Sequence, residues 1–310
     1  MTPGSLTALA LLSDERRSIS HEELVLRARQ LLRLLISMNA RVTPRTAVDG
    51  ELREEAIFEA VQMFVDAEVI EIQRPGETAQ KERRDKNSGD GSFYRIPERK
   101  RIELDTSKNI VVHFFVERAL VSLAMLMHPG PSLHVSLVHE RVRKLSELFK
   151  YEFRFRADAD FDTIFDETLR TMEAAGEIER DGDQLDTGLG RDGWSGRVWL
   201  RTYAAILRNF VEGYRIAARS LSALTKGPLG EKELLKRSLT IGHRMYLSGD
   251  IERHEAISKP IVQNAIAAFK DEGYIQIRES KISLTTSFAS ADAVRAIEGR
   301  IAGYLEPTSD

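Results

Sequence analysis

The chain has 310 residues, 42% of them hydrophobic, which is enough to build two or three separate cores. Its 45 Lys and Arg stand against 48 Asp and Glu, so the totals exclude a surface dominated by polyanion binding, although local patches remain open. It has no cysteine, which excludes disulfides, thiolate zinc sites and cysteine nucleophiles and fits a reducing, cytoplasmic setting.

Taken in order, MTPGSLTALALLSDERR has an apolar run with no positive residue before it and no cleavage pattern after it, so a signal peptide is not expected. Gly4 to Leu12 reads as a short apolar helix. Ser20-x-x-Glu23 is a capping box ahead of Leu24, Leu31, Leu34, Leu35 and Met38, and Thr43-Pro44 is expected to stop that helix. From Glu51 the pattern resumes through Ile57, Val61, Phe64 and Val65, and Val69, Ile70 and Ile72 suit a strand. The polar stretch Arg74 to Gly91 reads as a solvated loop, with Phe93 to Ile96 as a returning strand.

Asn109 to Met127 is the most apolar long stretch of the chain. Its greasy half-wheel of Val112, Phe115, Val116, Ala119, Leu120, Leu123, Leu126 and Met127 predicts a core helix ended by Pro129-Gly130-Pro131, with a membrane-surface role as the other reading. A spanning helix is disfavoured, because adjacent Glu117 and Arg118 sit at its middle. Leu133 to Lys150 is expected to be helical, and Tyr151 to Arg156, which alternates ring and charge, to be a short strand or extended segment. Asp160 to Ala175 reads as helix, Glu177 to Arg180 as strand, and Asp181 to Trp194 as a turn region after which Val198 to Leu200 could pair back. Tyr203 to Leu224, Lys232 to Leu247 and Pro260 to Glu272 are helical. Tyr274 to Arg278 with Lys281 to Leu284 forms a hairpin, and Ala291 to Tyr304 is a last helix.

One spelling recurs. In AVQMFVDAEVIEI, TLRTMEAAGEIER and AIAAFKDEGYIQI, aligning Phe64, Met172 and Phe269 places Glu68, Gly176 and Gly273 four residues on and Ile70, Ile178 and Ile275 six on. The two glycines suit a left-handed residue closing a helix, and each isoleucine opens a strand. The expected architecture is therefore mainly α with small β-hairpins (α+β), in three winged-helix-like units near residues 1–104, 105–201 and 202–310. A stand-alone winged-helix DNA-binding regulator, or an interaction scaffold, is the alternative function that this layout raises. The helices that would enter a major groove carry Glu54, Glu55, Glu59, Asp66 and Glu68 in the first unit and Asp160, Asp162, Asp166, Glu167 and Glu173 against Arg170 alone in the second, and in the third Lys259 and Lys270 are offset by Asp271 and Glu272, so they would repel phosphates and nucleic acid is not the expected partner.

The seven histidines do not assemble a reaction centre. Five residues after His21, His113, His128, His134, His139, His243 and His254 stand Leu26, Arg118, Leu133, His139, Lys144, Ser248 and Lys259, so no His-x-x-x-x-Asp occurs. No i, i+4 metal pair and no Gly-rich phosphate loop appears, so no metal or cofactor is expected. His113 and Glu117 could pair across one helical turn. Two basic clusters remain: Arg95, Arg99, Lys100 and Arg101, then Arg141, Arg143, Lys144, Lys150, Arg154 and Arg156. A solvated face accounts for them; contact with anionic lipid headgroups or an acyl-carrier protein is the functional reading. Phe149, Tyr151, Phe153 and Phe155 interleave with the second cluster.

KNIVVHFFVERALVSLAML, RKLSELFKYEFRFR with FDETLRTMEAAGEI after it, LRNFVEGYRIAARSL and GDIERHEAISKPIVQNAIAAFKDEGYI resemble the C-terminal region of the membrane-associated glycerol-3-phosphate acyltransferase family. TPGSLTALALLSDERRSISHEELV resembles the segment where that region begins, so the resemblance covers nearly the whole chain. The family acylates the sn-1 hydroxyl of glycerol 3-phosphate, from acyl-CoA or acyl-carrier protein, with a His-x-x-x-x-Asp motif as base. Since that motif is missing here, the resemblance implies a non-catalytic C-terminal domain, with the catalytic domain upstream or separately encoded, and carries over no catalytic residue. It implies a cytoplasmic chain, peripheral on the inner face of the membrane.

Overall fold

A computed structural model describes residues 1–305 except 15, 17, 74–90, 128–131 and 192. The polar loop expected from Arg74 and the Pro129-Gly130-Pro131 stop fall outside the described residues, apart from Gly91. The chain is mainly helical with small antiparallel sheets and divides into two compact units, residues 1–115 and 116–310.

The first unit is built around α1 (Pro3–Leu12), buried on every side from Ser5 to Leu12. Thr2 caps it and Pro3 occupies the first turn, where a missing N–H costs nothing. There follow β1 (Ser18–Ser20), α2 (His21–Ser37), the short hairpin β2 (Ala47–Val48) and β3 (Glu51–Leu52), α3 (Glu54–Asp66), β4 (Glu71–Gln73), β5 (Phe93–Arg95) and α4 (Arg101–Asn109). Ser20 caps α2 by accepting from the Glu23 N–H at 3.2 Å, as the capping motif predicts. The helix ends at Ser37 rather than at Thr43-Pro44, because Asn39 takes a left-handed φ of 58° and closes it early.

The second unit comprises α5 (Val116–Leu126), β6 (Ser132–His134), α6 (Val135–Leu148), α7 (Phe161–Ala174), β7 (Ile178–Asp181), β8 (Gln184–Thr187), α8 (Gly196–Ser220), β9 (Leu229–Gly230), α9 (Glu231–Ser248), α10 (Lys259–Asp271), β10 (Ile275–Arg278), β11 (Lys281–Leu284) and α11 (Ala291–Ala302). Its spine is α8, against which α5, α9, α10 and α11 pack. Trp199, Tyr203 and Tyr214 of α8 are fully buried.

Further expectations are corrected. The stretch from Asn109 to Met127 is not one helix: α4 stops at Asn109, Val112–Phe114 makes a 3-10 turn, and α5 starts at Val116. Ile110, Val111 and Val112 are three β-branched residues in a row, which lose side-chain freedom in a helix, and the backbone at Val111 (φ −115°, ψ −3°) turns the chain. His113 therefore lies outside α5, exposed, and makes no helical pair with Glu117. Leu133 belongs to β6, not to the following helix. The strand that returns to β7 is β8, within the expected turn region, and Val198 to Leu200 lies in α8, whose start Ser195 caps. Of Tyr151 to Arg156, expected as a strand or extended segment, Tyr151 and Glu152 continue the turn that closes α6, and Phe153 to Arg156 belongs to no strand.

Three three-stranded sheets share one construction. Their orders are β1-β5-β4, β6-β8-β7 and β9-β11-β10, all antiparallel. In each, the first strand runs without a break into a helix, and the last-formed strand lies in the middle. The recurrent residues do the same work in all three. Glu68, Gly176 and Gly273 have φ of 57°, 68° and 72°. The N–H one residue later donates back to the carbonyl of Phe64, Met172 or Phe269 at 2.8, 2.9 and 3.0 Å. Ile70, Ile178 and Ile275 are buried.

Candidate functional site

In the second unit, α6 turns Val138, Val142, Leu145 and Leu148 inward, which leaves Arg143 and Lys144 exposed on its other face. The alternating segment after it is sorted by the same logic. Phe149 and Phe153 are buried against Tyr214 and Phe210 of α8, with ring centroids 4.9 Å apart in each pair. The Lys150 ammonium and the Tyr151 hydroxyl face outward and share Asp271 at the end of α10, each at 2.6 Å.

Between α5, α6, the segment after α6 and α7 the packing leaves an apolar cavity of about 350 Å³. Leu120, Val121, Val142, Phe155, Phe161 and Phe165 form much of its wall. Arg143, Lys150 and Arg156 line it with Glu117 and Glu147. Burial raises the Glu117 carboxyl above its ordinary value, and the neighbouring Arg156 and Arg118 only partly offset that. Arg156 bridges Asp158 at 2.9 Å and Glu167 at 2.7 Å.

The structure thus gathers Arg143, Lys150 and Arg156 around one opening. Lys144 pairs with Glu140 along α6 at 2.6 Å, and Arg141 donates to the Ala124 carbonyl at 2.8 Å, tying α6 to α5. Arg143 and Arg154 are exposed and form no ion pair among the described residues. The first cluster lies in the other unit: Arg95 sits on β5 across from Glu71 at 3.8 Å, Arg99 is exposed, Lys100 bonds Glu103 at 2.9 Å, and Arg101 is buried.

Three of the described histidines have structural partners. His134 caps α6, His139 bonds Asp162 at 2.7 Å between the rings of Phe161 and Phe165, and His21 meets the Tyr94 hydroxyl at 2.8 Å. Among the described residues no three His, Asp or Glu side chains gather as metal ligands.

The centre that the sequence reading misses is Glu177. It is fully buried, and its carboxylate accepts from Tyr203 Oη at 2.6 Å, Arg191 Nη2 at 3.1 Å and Arg118 Nε at 3.2 Å. Burial beside that carboxylate pushes the Tyr203 phenol well above its usual range. A ring of glycines lets the backbone close around it: a Cβ on Gly188 would lie 2.2 Å from the Gly176 carbonyl oxygen, and one on Gly196 2.3 Å from the Glu177 carbonyl oxygen. A signal was there to be read. In the aligned helix-to-strand signatures, Glu177 takes the place of buried Val69 and Tyr274. Joined to two arginines and a phenol, this carboxylate has every oxygen occupied and fixes α5, β7 and α8 to one another.

Residues 1–278 match the glycerol-3-phosphate acyltransferase C-terminal region, and the chain belongs to that family. Among curated proteins it is 24% identical over 283 residues to the proteins named "Putative acyltransferase plsB1" of Mycobacterium bovis and of Mycobacterium tuberculosis strains H37Rv and CDC 1551. The alignment covers 86% of this chain and 40% of each of those proteins, so the chain spans well under half the length of the curated relatives that it matches.

Proposed function

We propose that this chain is the non-catalytic partner region of a glycerol-3-phosphate acyltransferase, supporting the catalytic domain at a membrane surface in phospholipid biosynthesis. The observation that carries this reading is the family match over residues 1–278. The sequence supports the non-catalytic part, since none of the seven histidines has Asp five residues on. The catalytic domain is the expected partner, whether on the same polypeptide or another. Exposed Arg99, Arg143 and Arg154 are the side chains best placed for an anionic lipid surface or an acyl-carrier protein. Among the described residues no helix is long and apolar enough to cross a membrane; the contact proposed here is peripheral, on the cytoplasmic face.

Within this reading the scaffold is three winged-helix-like repeats, near residues 1–104, 105–201 and 202–310, supported by the shared strand order and the shared left-handed helix stop. The third repeat would take α8 as its first helix, which begins at Gly196. Exposed Glu54, Glu55 and Glu59 on α3, and Asp162 and Asp166 on α7, argue that these repeats serve as a structural platform and not for duplex binding.

The test is acyl transfer to glycerol 3-phosphate from acyl-CoA, measured on this chain alone and on its mixture with a separately expressed catalytic domain of the family, with liposome co-sedimentation alongside. The expected result is no turnover by the chain alone, stimulation of the catalytic domain, and sedimentation with anionic vesicles that Arg143→Glu with Arg154→Glu weakens. Turnover by the chain alone, or neither binding nor stimulation, overturns the reading.

A further inference from the structure

We propose that the cavity between α5, α6 and α7 binds a single-chain amphiphile, with its apolar tail among Leu120, Val142, Phe161 and Phe165 and its anionic head at Arg143 and Lys150. The inference uses basic residues that also serve the proposed membrane contact, but it requires neither the catalytic partner nor a bilayer.

Two independent features of the opening point to that occupant. Its volume of about 350 Å³ lies within the range of small-molecule sites, roughly 300–1,000 Å³, and its interior wall is aliphatic and aromatic. Its cations are placed to receive an anion. Arg143 is exposed and forms no ion pair among the described residues. Lys150 is held by Asp271 in an exposed pair, 44% and 36% accessible. Such surface pairs contribute little, so exchanging Asp271 for a ligand oxygen costs little. The lining also holds two carboxyl groups: Glu147, exposed to solvent, and Glu117 on α5, which burial raises above its ordinary value. Arg156, paired with Asp158 and Glu167, forms another side of the mouth.

An aliphatic and aromatic wall beside the exposed Arg143 suits an occupant with an apolar tail and an anionic head. A patch reserved for a partner protein's apolar side chains would show no preference for head-group charge.

The experiment is calorimetric titration of the full chain, each ligand below its micelle threshold, with dodecanoate, monododecyl phosphate, dodecyltrimethylammonium and acetate. Both anionic amphiphiles are expected to bind one per chain, the cationic one at least ten-fold more weakly, and acetate not at all. Arg143→Glu should weaken the anionic ligands about five-fold or more. Ala159→Trp, which fills the lining from a non-helical segment, should abolish binding while leaving the thermal midpoint and the circular dichroism unchanged. Equal affinity for the anionic and cationic chains, or full binding by Ala159→Trp, overturns the proposal, as does no binding of dodecanoate to the folded chain. Failure of liposome co-sedimentation with retained dodecanoate binding would count against the membrane reading alone.

Discussion

Glu177 has no solvent-accessible side-chain surface, and its two oxygens are held by Arg118, Arg191 and Tyr203 from α5, the loop after β8, and α8. Replacing it removes the buried carboxylate that Arg118, 11% accessible, and Arg191, 30% accessible, share. Glu177→Ala should therefore destabilise the second unit by about 3–5 kcal/mol, read from urea denaturation. Glu177→Gln, which keeps one acceptor, should lose less; a loss below 1 kcal/mol for the alanine variant would show that water reaches the site. Glu152 sets a pH dependence. Burial raises its carboxyl to about 7 from an ordinary 4.5, against the opposing donation of Asn264 Nδ2 at 3.0 Å. Folding thus favours the protonated form, so this contribution to stability is whole below pH 4.5 and lost as pH rises through about 7. Glu152→Gln, neutral throughout, should flatten the stability profile between pH 4.5 and 7 and raise the urea midpoint at pH 8 above that of the native chain. A parallel loss of stability in both proteins across that window would exclude Glu152 as its source.

At the scale of the element, the three helix-to-strand junctions differ in one residue where their geometry agrees. Gly176 and Gly273 take the left-handed conformation without a Cβ penalty, whereas Glu68 takes the same conformation with one, at φ 57°. Glu68 is exposed, so removing its side chain disturbs no core. Glu68→Gly should therefore stabilise the first unit by about 1 kcal/mol, the relief of left-handed strain; a fall in its melting temperature would mean that unfolded-state entropy outweighs the relief. The expected elements that stand are those carrying their own stop and start residues. Ser20 and Asp160 cap α2 and α7, and β10 and β11 pair as the hairpin predicted from their spelling. The expectations that fail lie where tertiary packing decides. β8 has the polar sequence QLDT, with only Leu185 buried, and becomes a strand because β6 and β7 offer edges on both sides. Val198 to Leu200 looks like a strand by composition, but Ser195 and the α8 core draw it into a helix.

For the molecule as a whole, near-balanced charge and the absence of cysteine leave burial of apolar surface as the chief source of stability, and both units show it in helices with wide apolar faces. The sequence by itself determined the mainly helical class, the left-handed stops at Gly176 and Gly273, the absence of a His-x-x-x-x-Asp base, and membership of the acyltransferase C-terminal family, because periodicity, glycine and ordered motifs are local properties of the chain. Tertiary structure alone decided which of the ten basic residues remain available, that a cavity opens beside Arg143, and that Glu177 is a buried hub. Each of these depends on atoms brought together from distant positions: Asp271 reaches Lys150 from another helix, and Tyr203 reaches Glu177 across a turn region, so neither pairing is visible as spacing along the chain.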